Sequence, residues 1–224
     1  MVNLIEDPNR DERFPLCLSF AQRSDAARIA AIHMAAFGRN AMLHAQFPSP
    51  EVRNDLQTSI EKKALADIED PNTTVLVVRL LEDNLIAFAK WAHPTHENDD
   101  YVEPPWIWPQ GTAWDVLEQW SRATEDAQKR VMGDTPCYRL NFIGTNPHYE
   151  RLGAGSLMVQ WGIKQCNKSG HPAYLESTLE STPLYQKNGF EAATTIMLDI
   201  KDTEDGGRIS TYKEISYVYR PTKQ

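Results

Sequence analysis

Apolar residues recur along this chain at two spacings, every second position in some stretches and every third or fourth in others, and the changes between them mark its elements. Leu16 and Leu18 alternate with Cys17 and Ser19 in PLCLSFAQ, which predicts a first strand. Behind Asp25, the residues Ala26, Ile29, Ala30, His33 and Phe37 share one helical face and predict a helix that Asp25 caps and that runs to Phe37. Residues 37–50, FGRNAMLHAQFPSP, read as a loop with two prolines. Pro50 opens a second helix to about Ile68, with Val52, Leu56, Ile60 and Ala64 at helical spacing. TTVLVVRL and LIAFAKWAHP, joined by the short polar turn LEDN, predict a β-hairpin.

Residues 94–112, PTHENDDYVEPPWIWPQGT, break the pattern. They are acidic, proline-rich and aromatic, and read as a long loop of the kind that tends to carry function or disorder. Helical spacing returns in residues 113–133, with Trp114, Leu117, Trp120 and Ala127 on one side and Gly133 as the stop. PCYRLNFIGTNP is a strand ended by Pro147, and a helix from about Gly155 to Lys168 is closed by Gly170. The strand PAYLEST, a short helix in STPLYQKNGF and a hairpin of EAATTIMLDI and ISTYKEISYVYR around DTEDGG complete the chain. The order β-α-α-β-β-α-β-α-β-α-β-β predicts one mixed α/β domain around a single sheet, residues 14–222, with 1–13 as an N-terminal extension.

The 224 residues suffice for one well-packed domain, and 41% apolar with 24% charged residues is ordinary for a soluble globular protein. Neither TTVLVV nor RIAAIHMAAF is long or apolar enough to cross a bilayer, and the first fifteen residues lack the pattern of a signal peptide. Cys17, Cys137 and Cys166 lie far apart with no CxxC pair, which reads as reduced thiols in a cytoplasmic protein, and no metal is expected. The net charge of −8 argues against nucleic acid or an anionic membrane as partner and mildly favours a cationic one.

The candidate chemistry centres on HYERLGAGSLMVQWG, residues 148–162, where two glycines lead from a strand into a helix. Free backbone amides and the helix dipole make such a bend an anion site. A P-loop would need a lysine that LGAGSLMV lacks. A dinucleotide fingerprint would find its acid in Glu176, but Met158 replaces the third glycine and Gly153 comes well after the strand has ended. The pyrophosphate of coenzyme A is the third reading, and a plain glycine-rich turn is the bland one.

LNFIGTNPHYERLGAGSLMVQWG resembles the acyl-CoA-binding segment of the GNAT N-acetyltransferase superfamily: a strand, a proline, an aromatic, then Q/R-x-x-G-x-G/A opening a helix. Pro147, Tyr149 and Glu150-Arg151-Leu152-Gly153-Ala154-Gly155 stand at these places, and YLESTLESTPLYQKNGFE resembles the family's following strand, short helix and Y-x-x-x-GF element. The resemblance is close over 138–198 and looser over 15–93. Residues 94–133 match no common family core and read as an insertion of loop plus helix. The fold it implies is a mostly antiparallel central sheet flanked by helices on both faces.

The activity it implies is transfer of an acetyl group from acetyl-CoA, the co-substrate, to a primary amine by direct attack. Backbone groups of Phe142, Ile143 and Thr145, on a strand that splays from its neighbour in this family, would hold the pantetheine arm. Arg151, Leu152, Gly153, Ala154, Gly155 and Ser156 would hold the pyrophosphate. Glu150, where the family often has Gln or Arg, would repel that group if it faced it. Tyr185 occupies the place of the family's general acid, the alternative being a tyrosine packed beside Phe190. The strand 138–145 carries no carboxylate, so Glu176, a water chain to His93, or ordered water alone remain as routes for the amine's proton.

The family usually builds its acceptor pocket from the first helices and the late hairpin, here about Phe37–Phe47 and residues 200–212. Over it, Tyr101, Trp106 and Trp108 beside Glu97, Asp99 and Asp100 either hold a cation by π-face and charge or form a solvated loop whose tryptophans pack on a helix. A chain without a reader domain suits a small-molecule amine, as monomer or homodimer. A degenerate member that binds acyl-CoA and regulates without turnover is the alternative.

Overall fold

A computed structural model of the 224-residue chain describes residues 4–5, 16–81, 84–95, 100–201 and 208–221. Its strands are β1 (Leu4–Ile5), β2 (Leu16–Phe20), β3 (Thr73–Leu80), β4 (Asn84–Ala92), β5 (Tyr138–Thr145), β6 (Ala173–Ser177), β7 (Glu191–Lys201) and β8 (Ile209–Tyr219). They form one eight-stranded sheet in the order β1-β2-β3-β4-β5-β6-β8-β7. Every pairing is antiparallel except β5 with β6, so the sheet is mixed and mostly antiparallel, as expected. The helices are α1 (Ala26–Phe37), α2 (Ala41–Gln46), α3 (Pro50–Glu69), α4 (Trp114–Met132), α5 (Ala154–Ser169) and α6 (Thr182–Lys187).

The near-continuous apolar run of β3 follows from cover on both faces. Val75 and Val77 point to α1 and α3, where they pack with Ile29, Ile32, Ala64 and Phe88. Leu76 and Val78 point the other way and join Ile86, Trp91, Met158 and Val159 under α5. Trp91 is completely buried, its indole set against Gly162 of α5, and its Nε1 donates to the Met158 carbonyl at 3.3 Å. A Cβ on Gly162 would run into the Trp91 indole ring. Gly162→Ala is therefore expected to lower stability by about 3 kcal/mol, the upper end for overpacking, read as a fall in unfolding midpoint.

Several elements differ from the sequence reading. The stretch 37–50 holds α2, whose start is fixed by Asn40: its side chain accepts from the amides of Met42 and Leu43. Asp25 precedes α1 but gives it no side-chain cap; its carboxylate takes the Gln22 amide and pairs with Arg79 at 2.6 Å. Leu4–Ile5, within the N-terminal extension, pairs with β2. On α4, Leu117 and Ala127 are buried but Trp114 is exposed. The turn DTEDGG and residues Glu97 and Asp99 lie outside the described residues. No helix among the described residues is long and apolar enough to cross a membrane.

Residues 100–133 have a place in the architecture. Their helix α4 lies against β7 and α2 and forms a wall on the side of the sheet where the late hairpin stands.

Candidate active site

Two irregularities in β5 open the sheet. Lys90 pairs with Phe142 and Trp91 with Leu140, so Asn141 bulges out of the β4 ladder. On its other edge, β5 pairs in parallel with β6 only through Tyr138, Arg139 and Leu140. Beyond that point β6 continues along β8 as far as Ser177, while β5 continues along β4 to Thr145. The two strands part, and the far edge of residues 141–145 has no ladder partner among the described residues. Such an edge offers N–H and C=O groups to an extended ligand.

This open edge leads directly into the glycine bend. Asn146 caps a single 3₁₀ turn, Pro147–Tyr149, and Tyr149 is tied back by Asn84, which donates to its hydroxyl at 3.0 Å. Glu150 and Arg151 are exposed, and Arg151 takes a left-handed φ of 66°. Gly153 follows at φ 101° and opens α5, a backbone value that favours glycine. The first helical bond of α5 is made by the Leu157 amide to the Gly153 carbonyl, so the amides of Ala154, Gly155 and Ser156 project from the helix start. At Gly155 a Cβ would meet Leu184 Cδ2 of α6 at 3.3 Å. Its smallness lets two helices approach.

A cavity of about 530 Å³ lies against the bulge. Its floor is Leu140–Ile143; one wall is aromatic, with Phe37, Phe47, Trp106 and Trp108; α4 supplies Trp120, Thr124 and Glu125 opposite. Tyr185, Glu176 and Glu214 meet at the corner where β5 and β6 separate. Phe142 and Ile143 therefore face both the open edge and the cavity, whereas Thr145 and residues 151–156 lie outside the cavity lining.

Tyr185 is buried between Phe190 and Tyr217, at ring distances of 5.9 and 5.5 Å. Burial pushes its phenol above the ordinary range; the Ser177 hydroxyl opposes this and Glu214 adds to it. Glu176 is gripped by Arg139, whose Nη2 donates to Oε1 at 3.0 Å and Oε2 at 3.2 Å. His93 is not among the cavity residues; its ring pairs with the Thr74 hydroxyl at 2.8 Å. Glu214 was not singled out from the sequence. Burial lifts its carboxyl to about 7, opposed by a hydrogen bond from Tyr212 and reinforced by Glu176. His33 also lines the cavity, among Phe37, Phe88 and Phe142, and burial lowers its imidazole to about 4, so it is neutral at physiological pH.

The segment over the cavity is tied down by charge. Glu103 accepts from Lys63 at 3.0 Å and from Lys90 at 2.9 Å, and Asp67 binds the same two lysines from α3. Burial alone would lower the Lys63 ammonium, but Asp67 and Glu103 outweigh it and hold it above its ordinary value. Tyr101 donates to Asp70, and Ser59 donates to the Ile107 carbonyl. Trp106 and Trp108 stack on each other at 4.5 Å, Trp108 also stacks with Phe47, and the Lys63 ammonium lies 6.0 Å from the Trp106 ring. Their faces are thus occupied from within, which leaves the two tryptophans as an apolar wall packed on helices rather than a cage for a ligand cation.

A sequence model of the acetyltransferase (GNAT) family matches residues 39–190. The chain belongs to this GNAT family of acetyl-CoA-dependent N-acetyltransferases. No curated protein matches its sequence significantly. Among solved structures, it is similar to the histone acetyltransferase HPA2 and related acetyltransferase of Corynebacterium glutamicum, with TM-score 0.61, 17% identity, 92% of this chain and 97% of that one covered. It is also similar to Drosophila melanogaster polyamine N-acetyltransferase, which forms N-acetylagmatine, with TM-score 0.55, 14% identity, and 92% and 99% coverage. A mosquito arylalkylamine N-acetyltransferase like 5b has TM-score 0.57, 13% identity, and 92% and 99% coverage. At these identities the structural likeness concerns the fold. For a GNAT chain, the features that sequence reasoning missed are Glu214 and its partner Tyr212; only the alternation of β8, which puts Tyr212, Glu214 and Ser216 on one face, could have pointed to them.

Proposed function

We propose that this GNAT protein acetylates the primary amine of a small molecule, with Glu214 taking the amine's proton and Tyr185 donating to the departing sulfur. The observation that carries this is a β5 edge, without a ladder partner among the described residues, that runs from an acid–base pair lining a cavity to a glycine-opened helix start. The unpaired edge at Phe142, Ile143 and Thr145 suits the amides of pantetheine, and the amides of 153–156 beside Arg151 suit a pyrophosphate. Bound acetyl-CoA supplies the activated acyl carbon.

The acceptor arrives as an ammonium and is attracted by the net negative corner. An N–H bond breaks, the proton passes to the Glu214 carboxylate, and the freed nitrogen lone pair forms a bond to the thioester carbon. The C–S bond then breaks with its electron pair going to sulfur, which takes the Tyr185 proton, while the nitrogen's second N–H bond breaks and that proton restores the Tyr185 phenol. Products are the amide and the CoA thiol. Buried and above its ordinary range, the Tyr185 phenol holds its proton until the sulfur departs. Glu176 serves in this reading as the holder of Arg139 rather than as the base, because its two oxygens already accept from that guanidinium. The cavity's volume of about 530 Å³ and the small amines named for the Drosophila and mosquito neighbours support a small acceptor.

Thermal unfolding with CoA, acetyl-CoA and NAD tests the binding half. At about 100 times its dissociation constant a ligand adds roughly 2.7 kcal/mol, so both CoA species should raise the midpoint by several degrees and NAD should not. No shift with CoA at millimolar concentration would sink the reading. For the chemical half, Tyr185→Phe is expected to lower kcat by about 100-fold with the CoA shift intact. A wild-type protein that binds CoA yet releases no thiol with any amine would instead favour the regulatory alternative.

A further inference from the structure

We infer that Tyr212 and Asn40 are positioning residues for the reaction: they form a one-way hydrogen-bond relay that fixes the Glu214 carboxylate in the cavity, facing the acceptor amine. This rests on Glu214 being the base. The direction of the relay follows from its far end. Asn40 Oδ1 accepts from the Met42 amide at 2.8 Å and the Leu43 amide at 3.2 Å, as the cap of α2. A flipped amide would set N–H against N–H, so the Nδ2 group must face outward. It donates to the Tyr212 hydroxyl at 2.8 Å. The Tyr212 oxygen, already an acceptor, turns its own proton to Glu214 Oε1 at 2.6 Å. Glu214 Oε1 is thereby engaged, and Oε2 is left to receive the amine's proton.

The middle of the relay is held by packing as well. The Tyr212 ring meets Trp120 of α4 edge-on at 5.3 Å and joins the cluster of Met42, Ala45 and Ile200. The insertion helix therefore steadies the group that orients the base. Burial, with Glu214 beside it, raises the Tyr212 phenol, which keeps it a donor across the working pH range. Around Glu214, Glu176 on β6 is paired with Arg139 on β5, Lys90 on β4 is paired with Glu103, Glu125 on α4 is exposed, and His33 and Tyr185 are neutral. Burial and Glu176 favour the protonated acid, and the Tyr212 bond opposes them. Cutting the relay removes that opposition.

The test is the pH profile of kcat/KM, measured by thiol release with acetyl-CoA and the best acceptor from a panel of agmatine, spermidine and phenethylamine. In Tyr212→Phe the acid limb is expected to move up by about one pH unit, giving about a fivefold loss at pH 7 that shrinks to less than about twofold at pH 9. Asn40→Ser keeps a helix cap but lacks the reach to Tyr212, and should move the limb the same way by less. A loss that is equal at every pH, or an unmoved limb, would overturn the relay. Glu214→Gln separates this from the reading beneath it. If that variant keeps the parental rate and limb, Glu214 is not the base; if it loses both while Tyr212→Phe leaves the limb in place, only the relay falls.

Discussion

At pH 8, the Glu214→Gln variant is expected to unfold at a higher temperature than the parent and to acetylate at least about 100-fold more slowly. The two effects share one cause. The Glu214 carboxyl titrates at about 7 in the fold, against an ordinary 4.5, chiefly because burial penalises its charge. With the folded value raised, the stabilising contribution is fully present below the unfolded value and is lost as pH rises through 7. Above that point the protein holds a partly desolvated anion that the unfolded chain would hydrate. Because the side chain opens on the cavity, the cost is discounted to on the order of 2 kcal/mol, or ~4–8 °C for a chain of this size. Glutamine has the same shape, can still accept from Tyr212 and carries no charge, so it relieves the penalty and removes the proton acceptor together. Melting curves at pH 5 and pH 8 decide it: the gain should shrink towards acid pH. A variant that melts lower at both values would show that the carboxylate is not strained by its site.

Asp67→Ala is expected to lower stability by about 3–5 kcal/mol, with a fall in midpoint of ~10 °C. Asp67 is 3% exposed and binds two lysines whose side chains are themselves only 2% and 6% exposed. Without it, Lys63 and Lys90 face each other across Glu103 alone, whose own side chain is half exposed. Like charges in a poorly solvated place repel strongly, and an unpaired buried ammonium costs more than the pair ever contributed. Because Glu103 belongs to the segment over the cavity, the same variant should also show easier proteolysis near residues 100–113. A midpoint within about 2 °C of the parent would mean that water reaches these lysines freely.

The sequence was most informative where order is local. β3 and β4, α3, α5 with Gly170 behind it, and the glycine bend all carry their signals within a dozen residues. α2 was hidden because six residues are too few to show a period and its cap, Asn40, sits in what reads as loop. The parting of β5 from β6 cannot be read from either strand, since register is a relation between distant segments. Glu214 was passed over for the same reason: alternation shows that it shares a face with Tyr212, but not that this face closes a cavity with α4. Trp114 erred the other way. Its spacing is right for the buried face, yet it stands at the first turn of α4, beyond the edge of what that face covers.

The three residue pairs that join β5 to β6 are a narrow seam in a wide sheet. On one side lies a panel of five strands, on the other the panel β6-β8-β7, completed only when the last part of the chain has been made. A molecule lying along the open β5 edge would add backbone bonds at the place where the two panels hold each other least. Amide hydrogen exchange should then show slowed exchange on both sides of the seam when CoA is present, with the co-substrate acting as a missing stave between them.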